Sequence, residues 1–279
     1  MTDGVASWWG MLIAVTALNA GAWTMTALAL HRRKTSLPPA VRRTRQWLLW
    51  LSAAYVLGCG FRSIIPMIDA ARLCLLDTPV SRVGVGRSVA TVVELCFIAQ
   101  WAVLMREAGK DVGDDLATLV SRLLLPLIVL AELFSWYAVL TTNYLSHFAE
   151  NFLWTVSAAL LVASFASLRS RLAGRPRDLM TAAIGCGIGY IAFMIAIDLP
   201  MYFSRWQADV ASGRQYLSLG EGASHVMQRC MVSFEWQAWH EEIAWMTLYF
   251  TAGVWFSIAL ALVPPFKGEA GLPGNTARA

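Results

Sequence analysis

The apolar positions of this chain fall into seven runs, at about 8–30, 47–69, 89–105, 123–140, 152–168, 179–203 and 243–263. Polar or proline-containing breaks separate them, such as Pro38-Pro39 after the first run and Pro264-Pro265 after the last. A helix needs about 20 apolar residues to cross a bilayer, and each run is near that length. Apolar runs this long read as membrane helices, not as strands or the faces of soluble helices. The pattern predicts an all-α integral membrane protein, a seven-transmembrane-helix bundle forming one domain over residues 1–267.

Composition supports this reading. Hydrophobic residues make up 57% of the chain and charged residues 14%, against about 25% charged in ordinary soluble domains. Mean hydropathy is +0.54. The net charge of +4 is concentrated in alternate connections. Arg32, Arg33, Lys34, Arg42, Arg43 and Arg45 lie between the first two runs, and Arg169, Arg171, Arg175 and Arg177 between the fifth and sixth. Basic connections stay in the cytoplasm. The N-terminus is therefore expected to be extracytoplasmic and the C-terminus cytoplasmic, in a plasma or inner membrane. Charge divided between loops does not form the basic face of a nucleic-acid-binding domain, so the expected partner is the lipid bilayer. Residues 1–7 contain Asp3 and no Lys or Arg, which argues for an uncleaved first helix over a signal peptide. The tail at 268–279 is too polar to fold alone and is expected to be disordered.

Polar residues inside the runs are the chemical signal, because ionisable groups at membrane depth are costly and face a partner, a cavity or a site. Between Arg62 and Gln100, Arg62 and Asp69 lie in or at the end of the second run, Glu94 and Gln100 inside the third, and Arg72, Asp77, Ser81 and Arg87 in the polar bend that joins them. Glu94 has apolar neighbours on both sides and suits a proton relay or acid/base role. Arg62, Asp69 and Arg87 complete the catalytic candidates, with Arg62 or Arg87 as an anion clamp. A structural ion-pair network accounts for the same residues. Glu132 is the candidate for ion coupling, or else an interhelical hydrogen-bond donor.

Three of the four histidines, His147, His225 and His240, fall on the extracytoplasmic side of this topology. With Asp198 they are candidate ligands for a divalent metal, since imidazole and carboxylate are the usual donors. EWQAWHEEIAW is the densest such stretch, yet it lacks the second histidine of HExxH. Tryptophans at a membrane boundary explain it equally well. His147, Glu150, Asn151 and Trp154 recur at helical spacing, and Glu150 or Asn151 also suits a helix cap. Cys74 and Cys230 share the outer side, where an oxidising compartment permits a disulfide. Gly185 and Gly189 fit close helix packing. The sequence carries no CxxC, Walker lysine or GxSxG elbow, and no cofactor-binding motif.

Three function classes follow. The first is metal- or acid/base-dependent chemistry on a lipid or amphiphile. Seven-helix membrane hydrolases of the ceramidase and adiponectin-receptor kinds share the span count, but their histidine motifs are not matched here. The second is an ion-coupled small-molecule transporter, and the third a receptor or sensor. A retinal protein is disfavoured because the last run has no lysine for a Schiff base.

Overall fold

In the computed structural model, residues 2–32 and 38–263 are described. Seven helices are long and apolar enough to cross a membrane, the architecture of a helical membrane bundle. The first five are α1 (Thr2–Arg32), α2 (Pro39–Ile64), α3 (Val83–Val112), α4 (Asp115–Thr141) and α5 (Tyr144–Arg171). The sixth span joins α6 (Arg175–Phe193) to α7 (Leu199–Ala211) through a π-helical turn at Met194–Asp198. After the short α8 (Leu219–His225), the seventh joins α9 (Trp236–Leu248) to α10 (Val254–Leu260) through a second π turn at Tyr249–Gly253. The expected tail at 268–279 lies outside the described residues.

Local chemistry sets the helix ends. Pro39 opens α2, where a missing N–H costs nothing. Gly113, at φ 68°, closes α3. Asp114 caps α4 by accepting from the Ala117 amide at 2.8 Å. Asn143 does the same for α5 through Leu145, at 2.9 Å. Ser218 and Glu221 form a reciprocal capping box on α8.

Helices α1 to α6 pack in chain order, and the last span closes against α1, α2 and α3. Gln100 pins that closure. It is fully buried and donates to the carbonyls of Leu48 (2.9 Å) and Ser257 (3.1 Å), while Ser257 donates back to it at 2.6 Å. Asn19 donates to the Phe250 carbonyl at 2.9 Å, an acceptor within the second π turn. Outward faces are apolar: Met25, Trp50 and Leu57 are each about two-thirds exposed or more. Water would penalise such a surface and lipid would not.

The connections at one end carry a small sheet. Strands β1 (Met67–Ile68) and β2 (Leu73–Cys74) pair antiparallel, and β3 (Met231–Val232) joins β2 in parallel. Cys74 and Cys230 form a disulfide there, with Cα atoms 5.9 Å apart. This is the disulfide end. The opposite end carries the basic connections.

Several expected boundaries move. The second helix stops at Ile64 instead of continuing to 69, because Pro66 cannot donate in a continuing helix. Asp69 therefore sits in the tight β1–β2 turn, which Arg72 closes at φ 57°. The sixth span runs on to Ala211 and the seventh begins at Trp236, so the connection expected from 204 to 242 is much shorter.

Candidate functional site

Arg87, one turn into α3 from the disulfide end, is almost fully buried and meets carboxylates from three helices. Its Nη2 lies 2.8 and 3.0 Å from the Glu132 oxygens of α4 and 3.3 Å from Glu94 Oε1 on its own helix. Its Nη1 lies 3.6 Å from Glu150 Oε1 on α5. All four side chains are under 10% exposed.

A second layer holds these carboxylates in place. Thr91, one turn beyond Arg87, donates to Glu132 at 2.6 Å and accepts from Trp136 Nε1 at 3.0 Å. Tyr249, the first residue of the second π turn, donates to Glu94 at 3.3 Å. His147 Nδ1 sits 2.9 Å from Glu150 Oε2, three residues along α5. Glu94 and Glu132 thus share one guanidinium nitrogen, Nη2 of Arg87, at 3.3 and 2.8 Å.

Charge does not balance at this depth. Three carboxylates face one guanidinium. Asp198, the last residue of the first π turn, is buried. Single π turns in α-helices occur frequently at functional sites, and the second one brings Tyr249 to Glu94.

Arg205 on α7 joins the last two spans. It donates from Nη1 to Glu242 Oε1 at 2.8 Å, and from Nε and Nη2 to Glu241, at 3.1 Å for Nε. Its guanidinium lies 5.5 and 5.6 Å from the ring centres of Tyr144 and Tyr202. Trp245 Nε1 donates to the other oxygen of Glu242.

Of the catalytic candidates, Arg87 and Glu94 are in direct contact. Arg62 and Asp69 form their own buried pair at 3.4 Å, with Arg62 also donating to the Met67 carbonyl. They brace the β1–β2 turn beside the cluster. Arg72 extends the brace by donating to the Val139 carbonyl at 2.7 Å. Burial pulls its guanidinium below the ordinary arginine value, with the Asp69 charge opposing.

The metal expectation finds no support. Among the described residues no group of three or more His, Cys, Asp or Glu side chains is arranged to hold a metal ion. His147 joins the buried cluster through Glu150 and Asp198 is buried at the end of the first π turn, whereas His225 ends α8 and is exposed. His240 is exposed too, stacks on Trp236 and donates from Nδ1 to the Gln237 carbonyl at 3.0 Å. Within the tryptophan-rich stretch Trp239 is fully buried and donates to the Ser233 carbonyl at 2.9 Å.

Glu150, for which a helix cap is one of two readings, shares its helix face with His147 and is buried beside Arg87, while Asn143 caps the helix. Arg205 had no sequence signal, since its partners lie 36 and 37 residues away. No known protein family matches the chain, and neither does any curated protein or solved structure. The functional reading therefore rests on the site.

Proposed function

We propose that this protein is a proton-coupled membrane carrier for a small solute, with the coupling proton held between Glu94 and Glu132 beside Arg87. One observation carries the reading: a buried guanidinium meets more carboxylates than it can neutralise. Buried charge must be paired or neutralised. Protonation removes one negative charge and loosens the hold of Glu94 or Glu132 on Arg87. Gain and loss of that proton thus favour two different pairings of α3 with α4 and α5. Such an alternation of helix contacts is what coupled transport requires.

The reading includes a topology. The basic connections lie in the cytoplasm, by the positive-inside rule, and the disulfide end faces an oxidising exterior. The N-terminus is then outside and the C-terminus inside.

Acid–base chemistry on an amphiphile is the second reading. An apolar groove of about 390 Å³ between α2 and α3, lined by Ala54, Gly58, Ser88, Val89, Val92 and Val93, favours it. Such a lining suits an acyl chain.

The deciding experiment places the purified full chain in liposomes and follows radiolabelled solutes, including organic cations, amino acids and short amphiphiles, under an imposed pH gradient. The carrier reading expects gradient-driven accumulation of at least one solute, lost in Glu94→Gln. Gradient-independent chemical conversion of an amphiphile would support the second reading instead.

A further inference from the structure

We infer that α7 is a lid over the Arg87 cluster at the disulfide end, latched by Arg205 and hinged at the first π turn. The cover is built from contacts in series. Glu150 contacts Arg87 and is bonded to His147 at 2.9 Å. The Tyr202 ring of α7 packs on the His147 ring, with centres 5.2 Å apart. The Arg205 guanidinium lies 5.6 Å from the centre of the same Tyr202 ring. Exposure rises outward along this series. His147 and Tyr202 are buried, the Arg205 side chain is 22% exposed, and Glu241 is half exposed. Tyr202 and Arg205 therefore stand between His147 and the outer solution.

The two sides of α7 are held differently. Against α5 it packs by rings, Tyr202 on Tyr144 and Phe203 on Phe148, with centres 6.4 and 5.6 Å apart. Toward the seventh span the crossing hydrogen bonds are those of Arg205, to Glu242 at 2.8 Å and from Nε to Glu241 at 3.1 Å. Among the described residues no other side chain of α7 bonds to α9. The same guanidinium lies 5.5 Å from the Tyr144 ring centre. One side chain thus ties α7 to both neighbours.

Both ends of α7 suit a hinge, since lids turn on a few residues at element ends. The π turn at Met194–Asp198 precedes it, and Pro200 has no N–H to return to that turn. Gly213 follows at φ 67°, which glycine adopts without steric cost. Beyond it the chain is fixed to the α4–α5 corner. Arg214 donates to Thr142 at 3.2 Å and the Leu217 amide to the Thr141 carbonyl at 3.1 Å. Turning α7 away releases Arg205 from Glu241 and Glu242 and bares His147 and Glu150 to the disulfide end. The lid governs access, and it stands apart from the proton-coupled reading.

The test labels histidines of the full chain in detergent with diethyl pyrocarbonate and reads each position by peptide mass spectrometry. His225 is exposed and, unlike His240, does not adjoin the latch, so it is the reference within the same molecule. In the wild type His147 should react far more slowly than His225. Arg205→Gln and Glu242→Gln should each speed His147 by at least about tenfold, the scale on which losing one partner of a buried charge pair shifts an opening equilibrium. Glu241→Gln changes the half-exposed arm and should speed it about two- to fivefold, the scale of an exposed pair. His225 should keep its wild-type rate throughout. Equal wild-type rates at His147 and His225 overturn the lid, as does a His147 rate unchanged in Arg205→Gln and Glu242→Gln. If those two variants also speed His225, the whole fold has loosened and Glu241→Gln decides. An unchanged His147 rate in that variant then overturns the lid. Solute uptake into liposomes reads none of these rates, so either proposal can fail while the other stands.

Discussion

Arg87 and Glu132, 45 residues apart on adjacent helices, meet through a single guanidinium nitrogen that contacts both carboxylate oxygens at 2.8 and 3.0 Å. Neither side chain is more than about 5% exposed. Breaking a buried pair by removing one partner leaves an uncompensated charge and costs about 3–5 kcal/mol. Arg87→Met should therefore lower the thermal midpoint sharply in detergent. Arg87→Met with Glu132→Leu should recover part of that loss, which a double-mutant cycle would measure. Additive effects would mean that the two side chains do not act as a pair.

Gln100 ties α3 to α2 and α10 through three hydrogen bonds. Replacing it with leucine removes the donor to the Leu48 and Ser257 carbonyls and leaves the Ser257 hydroxyl only its longer bond to Ser52, at 3.2 Å, at a cost of about 1–3 kcal/mol. Thermal unfolding followed by tryptophan fluorescence should show the loss.

Cys74 and Cys230 close a loop of 156 residues in sequence separation. Loss of a native disulfide typically costs about 2–5 kcal/mol. Cys74→Ser should unfold at lower temperature than wild type, and reductant should bring the wild type down to it. A midpoint insensitive to reductant would show that the bond contributes nothing to stability.

Gly222 packs α8 against the end of α4 so closely that a Cβ would sit 2.2 Å from the Leu140 carbonyl oxygen. That neighbour is backbone and cannot turn aside. Gly222→Ala should cost about 1–3 kcal/mol as overpacking. Hydrogen exchange should rise first in residues 219–225.

Glu221 closes the capping box of α8, and the Ser218 hydroxyl and amide hold its carboxyl below the ordinary glutamate value. A group whose folded pKa is depressed stabilises above its unfolded pKa. That contribution is lost as pH falls from the ordinary glutamate range through the lower folded value. Amide exchange in α8 should accelerate across that window in the wild type and stay flat in Glu221→Gln.

The parts legible in the sequence were those set by composition over long windows. All seven apolar runs became helices because each is long enough to span and few charges interrupt it. Glu94 and Glu132 stood out because charge is conspicuous in such runs, and Arg87 because it lies in the polar bend that leads into one. Glu150 and Arg205 did not, since a charged residue near a helix end looks wet until its distant partner is placed. Asp69 was misassigned to a helix because Pro66 came so close to the expected end. The histidines were grouped by side of the membrane, which does not determine distance: His225 and His240 share that side with His147 but not its pocket.

The two π turns hold one further consequence. A π turn is an α-helix carrying an extra residue, and each residue of an α-helix turns the chain by about 100°. Deleting one residue from Met194–Asp198 would restore ordinary winding and rotate everything beyond it by that angle. Arg205 would then swing out of line with Glu241 and Glu242 without any change to its own identity. A deletion within Tyr249–Gly253 would disturb the other wall in the same way, by changing the phase between Tyr249 and the helix that follows. The site therefore depends on helical phase as well as on side chains, and a one-residue change in chain length would dismantle it while leaving every charged group present.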